Sequence, residues 1–388
     1  MCCNRSRILE VRMSETTRVA FIVNSLRFGG AEKHTLELFN GLDSSEFHKD
    51  LIYLKREEHL LDQVDFDQGK TYCGDFDKGW DISGLLRLAN RIKKSKPDVL
   101  VCVNNYPLFY GYLARWIAGT HCRIIEVFHS TELPKKEDSK MRLVYRHFFN
   151  RCDGIVYVSQ NQREYWEARG IDSDKGIVIH NGVNTDYFFS KYSSEERITI
   201  RQRYGFSFND FIVGICAALR PEKKHEELLE AIQKLKSDGL DVKCLIIGDG
   251  PRRTAIQQKI SSLGLEHDVS ITGFQKDVRD FVDACDCIAI VSHQETFSIA
   301  ALEAMAIGKP MVMSDIGGSA EQVSGGVNGY LFPAADTGAL AEAISKLSDS
   351  EHRDKLGKMA RKIVKRDFGL NGMLEKYAKL FSRGRTGT

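Results

Sequence analysis

Short apolar runs alternate with helix-spaced apolar positions along most of this chain. Residues 18–24 (RVAFIVN) read as a buried strand. A glycine turn, Phe28-Gly29-Gly30, leads from it into a helix over 31–42. Further apolar strands are expected at 98–103 and 123–128, with a helix over about 108–118 between them, and at 154–158 and 176–179. A second set begins near Phe211, with strands at 211–217, 242–247, 269–272, 287–291 and 311–314. Helices near 224–237, 251–263, 277–284, 298–307 and 336–348 separate these, and two more follow at about 351–366 and 371–383. Apolar strands alternating with helical stretches predict parallel sheets covered on both faces, an α/β class.

The segment 186–210 is polar and aromatic without clear periodicity and reads as a linker between two doubly wound units. The expected organisation is an N-terminal extension over 1–16, a first domain over 17–188, a second over 189–370, and a C-terminal helix over 371–388 returning to the first. That helix carries Met373, Leu374, Tyr377, Leu380 and Phe381 at helical spacing. A chain of 388 residues suits two domains. Doubly wound sheets bind ligands outside the carboxyl ends of their strands, so the loops after strands carry the candidate chemistry.

The most informative of these loops reads Glu295-Thr-Phe-Ser-Ile-Ala-Ala-Leu-Glu303. Ser298 to Ala306 is a small-residue helix stopped by Gly308 and Pro310. Glu295 lies before it and Glu303 within it, eight positions or about 12 Å apart along a helical rise. The helix N-terminus falls between the two carboxylates and favours an anion. One acid for sugar hydroxyls, one for ribose hydroxyls and a diphosphate seat between them describe a nucleotide-sugar site. A helix with an acidic start and one exposed Glu is the plainer reading of the same residues.

Other motifs also follow strands. Gly30, in Gly29-Gly30-Ala31-Glu32, lets backbone N–H groups approach a phosphate. His129 ends a strand and can bond a hydroxyl or take a proton. Arg220 and Lys223, in Arg220-Pro221-Glu222-Lys223-Lys224, stand before a helix and can clamp a diphosphate. Gly250, in Gly248-Asp249-Gly250-Pro251, offers a turn for a base or ribose, and Phe274 an aromatic face. Asn181 belongs to the turn His180-Asn181-Gly182-Val183 before the linker, whose chemistry the residues alone do not reveal. Asp65-Phe-Asp67 and Asp75-Phe-Asp77 have the form of metal-binding DxD triplets but lie away from these motifs.

A net charge of +2 argues against strong whole-chain steering toward nucleic acid. The basic charge is local: residues 85–151 hold 13 Lys/Arg against 5 Asp/Glu, a stretch able to face anionic lipid or an acidic substrate. Within it, 135–151 places Met141, Val144, Tyr145 and Phe148 on one helical face and Lys136, Lys140, Arg142 and Arg146 elsewhere, a candidate contact with anionic membrane. Ten cysteines show no CxxC pair and read as reduced core residues of a cytoplasmic protein. No apolar run approaches a membrane span, and charged residues interrupt the N-terminus, where Met13 is a second candidate start and a lipid anchor at Cys2 or Cys3 has little support.

From about Arg18 to Phe381 the chain resembles the retaining, nucleotide-sugar-dependent glycosyltransferases of family 4, which have the GT-B fold of two Rossmann-like domains facing across a cleft. The resemblance is carried by Gly29-Gly30-Ala31-Glu32, His180-Asn181-Gly182-Val183, Ile271-Thr-Gly-Phe274, 284–306, Gly308-Lys-Pro310, Gly317-Gly318, Glu321 and Asn328-Gly329. It implies that the first domain takes the acceptor and the second the donor. It further implies that Glu295 contacts the transferred sugar, Glu303 holds the ribose, and Phe297 and Ser298 offer backbone N–H groups near sugar and phosphate. Gly30 would approach the diphosphate, His129 would sit by the donor sugar and acceptor hydroxyl, and Lys223 would neutralise the leaving diphosphate. Where the family commonly has an Arg five residues before that Lys, this chain has Ala218, and Arg220 is the expected substitute.

The implied activity is hexosyl transfer from a nucleotide-diphosphate donor to a glycan or lipid-linked acceptor, as in bacterial surface-polysaccharide assembly. No metal or other cofactor is expected, and peripheral contact with the inner membrane face is open. A catalytically weak nucleotide-sugar-binding protein of the same fold and a metal-dependent DxD transferase are the alternatives.

Overall fold

The computed structural model describes residues 16–77, 80–130, 146–171, 173–190 and 194–382. Among these residues the strands form two sheets. The first has the order β3-β2-β1-β4-β5-β6-β7, from β1 (Thr17–Val23), β2 (Phe47–Tyr53), β3 (Gly69–Cys73), β4 (Val99–Val103), β5 (Arg123–Phe128), β6 (Gly154–Tyr157) and β7 (Gly176–Val178). The second has the order β10-β9-β8-β11-β12-β13, from β8 (Phe211–Cys216), β9 (Val242–Ile247), β10 (Val269–Ile271), β11 (Cys287–Ile290), β12 (Met311–Ser314) and β13 (Gly329–Phe332). Pairing is parallel, with Thr17 opposite Phe47 in the first sheet and Phe211 opposite Val242 in the second. In each, strand order reverses beside the first strand, at β1/β4 and at β8/β11, the switch points where doubly wound sheets bind ligands.

The helices are α1 (Gly30–Gly41), α2 (Ile82–Ser95), α3 (Asn105–Ala118), α4 (Gln160–Glu167), α5 (Ser194–Arg203), α6 (His225–Ser237), α7 (Arg253–Ser262), α8 (Arg279–Ala284), α9 (Ile299–Ile307), α10 (Ser319–Gln322), α11 (Thr337–Ser345), α12 (Ser350–Asp367) and α13 (Leu370–Ser382). The chain divides into two compact units, one running up to Ile125 and resuming at Ala378, the other spanning Glu126–Tyr377. That division falls inside β5 and α13, while the sheets change over between β7 and β8.

Alternation along the strands of the second sheet sends neighbours to opposite cores. Ile212, Leu245, Ile288 and Met311 join α9 and α12 on one face. Val213, Cys244, Cys287 and Val312 join α6, α7 and α11 on the other. In the first unit Phe381 packs edge-on against Phe21 and Phe47, and the Arg123 guanidinium donates to the carbonyls of Leu380 and Phe381, closing the end of α13.

The structure adds elements the periodicity did not predict. β2 carries His48-Lys49-Asp50 in its middle, which breaks the apolar run. Lys49 is nevertheless buried, its ammonium bonded to the Leu42 carbonyl and to Gln68. The expected linker 186–210 contains α5, whose surface is mostly charged. That helix is anchored by Arg201, which reaches the Ala284 carbonyl and the Asp286 carboxylate. α2, α4 and β13 were likewise unpredicted. Most of the amphipathic segment 135–151, the extension up to residue 15, and with it Cys2, Cys3 and Met13, lie outside the described residues.

Candidate active site

α9 is placed by its own composition. Ser298 caps it, its hydroxyl accepting from the Ala301 N–H at 3.3 Å, and Gly308 ends it in the left-handed region at φ 95°. Ala301, Leu302, Ala304, Met305 and Ala306 are fully buried, so the core fixes the helix axis. Glu303 is its one charged residue and is only 6% exposed. The helix N-terminus is electropositive, and the N–H groups of Ile299 and Ala300 have no acceptor within the helix.

The loop before α9 is tied to the turn after β8. Lys223 Nζ lies 2.7 Å from Glu295 Oε2, with both side chains mostly buried. The His293 N–H donates to the Glu222 carbonyl at 2.9 Å, and the His293 ring lies 2.8 Å from the Glu227 carboxylate. Pro221–Lys223 is a single 3₁₀ turn, and Lys224 takes a left-handed φ of 50° so that α6 can start at His225. Arg220 opens this turn with its side chain exposed, and its backbone carbonyl accepts from the Lys223 N–H at 3.1 Å.

His129 follows β5 and is joined to the same loop: its carbonyl accepts from the Thr296 hydroxyl at 2.9 Å. Desolvation by surrounding protein pushes the His129 imidazole down to about pKa 4, so it is neutral near pH 7. Asn181, buried, donates from Nδ2 to the Phe297 carbonyl at 3.0 Å. Glu295, Lys223, His129, Asn181, Phe297 and Ser298 are thus linked around one loop, with Glu303 one helical turn further on.

One expected donor is already engaged. The Ser298 N–H, expected near sugar and phosphate, donates to Gln322 Oε1 at 3.1 Å, while Gln322 Nε2 donates back to the Ser298 carbonyl at 2.9 Å. The Ser298 cap takes the Ala301 N–H, so Ile299 and Ala300 are the first-turn amides that neither the cap nor the helix engages.

Several shaping residues carried the resemblance but had no role that the sequence assigned. Gly317, at φ 53°, packs directly on the Glu295 carbonyl, where a Cβ would overlap it. The Gly318 N–H donates to the Thr296 carbonyl at 2.9 Å. The His180 ring stacks on Phe297 with centroids 4.8 Å apart and bonds Glu321 at 2.8 Å. Glu321 also accepts from the Gln160 and Asn161 N–H groups at the start of α4. Burial works to raise the Glu321 pKa, but the bonds from His180, Asn161 and Gln160 outweigh it and hold the carboxyl below its ordinary value. The adjacent glycines 317–318 and the acid four residues on were the only sequence signal for this layer.

The remaining candidates are placed by their own elements. Gly250 lies against Leu219, where a Cβ would press on the Leu219 backbone at 2.7 Å. Phe274 is half exposed after β10. Gly30 opens α1 in the first unit. In the DxD triplets, Asp65 accepts from the Asp67 N–H, Asp75 pairs with Arg56, and the Asp77 N–H donates to Asp81. Among the described residues no group of three or more His, Cys, Asp or Glu is placed to hold a metal ion.

A family model described as Glycosyltransferase Family 4 matches residues 28–187, and one described as Glycosyl transferases group 1 matches 196–363. The chain belongs to the family 4 glycosyltransferases. The transferase is 25% identical over 307 residues to the N-acetyl-alpha-D-glucosaminyl L-malate synthase of Bacillus anthracis, covering 78% of this chain and 79% of that one. It is 23% identical over 366 residues to the UDP-Gal:alpha-D-GlcNAc-diphosphoundecaprenol alpha-1,3-galactosyltransferase of Escherichia coli, covering 91% and 93%. The Anabaena protein HepE, solved in complex with UDP-glucose, matches with a TM-score of 0.82 at 23% identity over 94% of this chain and 99% of that one. The transferase therefore has the GT-B fold, with two Rossmann-like parallel sheets.

Proposed function

We propose that this transferase moves a hexosyl group, with retention at the anomeric carbon, from a nucleoside diphosphate sugar to a glycan or lipid-linked acceptor in bacterial surface-polysaccharide synthesis. The observation that carries the reading is the Lys223–Glu295 pair beside the open N-terminus of α9. The amides of Ile299 and Ala300 and the Lys223 ammonium supply positive charge where a diphosphate would depart. Glu295 gives Oε2 to Lys223 and keeps Oε1 for the sugar hydroxyls. Glu303 holds the ribose, while Gly250 and Phe274 face the base. Gly30 and Arg220 take part in phosphate contact, and His129, neutral, accepts a hydrogen bond from sugar or acceptor hydroxyls.

In this reaction the bond from C1 to the phosphate oxygen breaks with its electron pair leaving on the diphosphate. The acceptor oxygen bonds C1 on the same face, and its proton passes to the departing phosphate oxygen. Glu295 acts as a positioning and electrostatic group. The relative from Escherichia coli is named for a UDP-sugar donor and a diphosphoundecaprenol acceptor, and HepE was solved with UDP-glucose. Both favour a uridine donor here. The chemistry needs no metal ion, and a lipid-linked acceptor calls for peripheral contact with the membrane.

Thermal shift across UDP-, GDP- and ADP-sugars, followed by nucleotide release and product anomer analysis in excess EDTA, tests the proposal. A stabilising UDP-sugar and an α-linked product from an α-linked donor are expected. No donor-dependent release, an inverted product, or activity abolished by EDTA would overturn it in the corresponding part.

A further inference from the structure

Two of the chain's three tryptophans are on the surface: Trp80 is 80% exposed and Trp116 is 76% exposed, whereas Trp166 is buried. Exposed tryptophans carry a large apolar area with a polar N–H and are enriched where protein meets the lipid–water boundary. Here they are not isolated. Ile82 and Leu86, one turn apart on α2, and Ile117, beside Trp116 on α3, are also exposed. Trp80 packs edge-on against Phe109, the fifth residue of α3, with centroids 5.1 Å apart.

α2 and α3 both run back against parallel strands that they connect, so their N-termini lie at one end of the sheet. The C-terminal Lys93-Lys94 of α2 lies at the same end as Trp116-Ile117 of α3. Neither helix, each 14 residues long, contains an Asp or Glu, in a chain with 53 of them. Together they carry Arg87, Arg91, Lys93, Lys94 and Arg115. Arg87, itself exposed, and Arg91 pair with Asp81 and Asp50, Arg115 donates to the Cys122 carbonyl, and Lys93 and Lys94 stand exposed at the end of α2. The acids near the start of α2 are Asp81, buried as its cap, Asp77, and Asp75, which pairs with Arg56. At the lysine end, Arg18, Lys70 and Lys94 help line an open groove of about 510 Å³ that also includes Asp50 and Asp67.

We propose that this α2/α3 face docks the transferase on an anionic bilayer, with Trp80, Trp116, Ile82, Leu86 and Ile117 entering the interface and Lys93 and Lys94 meeting lipid phosphates. An apolar band edged by cations and free of acids within its helices complements a negatively charged interface. The inference gives a place to the membrane contact in the proposed function, and vesicle binding is measured without donor or acceptor, so the two stand or fall separately.

The test uses the full chain with vesicles of phosphatidylglycerol and phosphatidylcholine, against phosphatidylcholine alone. Co-sedimentation with the anionic vesicles is expected, together with quenching of Trp80 and Trp116 emission by brominated lipid while buried Trp166 continues to emit. Lys93→Gln/Lys94→Gln should weaken vesicle affinity roughly thirtyfold, from the usual worth of two lysines at an anionic surface. Trp116→Ser should weaken binding and reduce the quenched fraction. Both variants should keep the wild-type thermal shift with donor, which shows that they fold. Equal binding to neutral vesicles, no quenching, unchanged affinity in the variants, or concentration-dependent self-association that hides both tryptophans would overturn the proposal.

Discussion

The Lys223 ammonium, 2.7 Å from the Glu295 carboxylate, joins the turn after β8 to the loop after β11. β8 and β11 are neighbours in the second sheet and mark its switch point. The ion pair therefore bridges the two loops that a doubly wound sheet devotes to its ligand. Each partner also holds the other in place: the lysine extends from a single 3₁₀ turn and the glutamate from an irregular loop, and neither segment has a long ladder of its own.

Glu295→Gln should therefore lower donor-dependent turnover by roughly 10²–10³ while leaving the melting temperature near that of the parent. Lys223→Ala should cost a similar factor. The double variant should be much less impaired than the product of the two, because the residues act on one another. Nucleotide release by all three proteins measures this coupling. Wild-type-like turnover in Glu295→Gln would remove the assignment.

Gly317→Ala tests the loop from beneath. The added Cβ would overlap the Glu295 carbonyl, and the left-handed φ of 53° disfavours any L side chain. A loss of about 1–3 kcal/mol in stability is expected, with turnover falling further than stability explains because the backbone carrying Glu295 must shift. Gly326→Ala shares the positive φ, but its Cβ would meet nothing within 4 Å, so it isolates the backbone contribution. Chemical denaturation and turnover on both variants separate the two effects. Equal losses in both would mean that the Glu295 contact contributes nothing.

Local signals made α9, its glycine stop and its two acids legible, because helix caps and small-residue packing are written within a dozen residues. The glycine turns were legible for the same reason. What escaped was non-local. Glu321 meets His180 across 141 positions, and Gln322 takes the Ser298 N–H that adjacency alone left free. β2 escaped because Lys49 is charged yet buried, satisfied by a carbonyl and an amide that only the folded chain brings to it. The exposed tryptophans were equally silent, since a Trp in a helical pattern reads as core until its neighbours are placed.

Glu321 should be a stability residue as well as a shaping one. It bonds two N–H groups at the start of α4 and the His180 ring that stacks on Phe297. Glu321→Ala should cost about 1–2 kcal/mol at pH 7, as for loss of a helix cap. The folded carboxyl has a lowered pKa, so its ionisation stabilises the fold above the unfolded-state pKa and that contribution is lost as pH falls through the folded value. The gap between variant and parent should accordingly narrow on acidification. A gap that is constant from pH 7 down to the acid transition would show that the charge of Glu321 contributes nothing.

His225 makes a second pH prediction at less acid values. It is 1% exposed at the start of α6, neither ring nitrogen has a hydrogen-bond partner among the described residues, and burial pushes its pKa down to about 4. Between that value and the ordinary histidine value near 6.5, the unfolded chain takes up a proton that the folded chain refuses. Stability must then decline as pH falls from about 6.5 toward 4, with a slope of up to about 1.4 kcal/mol per pH unit for one such group. His129, lowered in the same way, adds a decline of the same sign. His225→Met removes one titrating group and should make the pH dependence shallower by up to one proton's worth across this window. Melting curves from pH 7 to about 3.5 for the parent, His225→Met and Glu321→Ala distinguish the groups, because Glu321 acts below its ordinary value near 4.5 and His225 from about 6.5 downward. An unchanged slope in His225→Met would mean that His225 takes up its proton in the folded chain as readily as in the unfolded one.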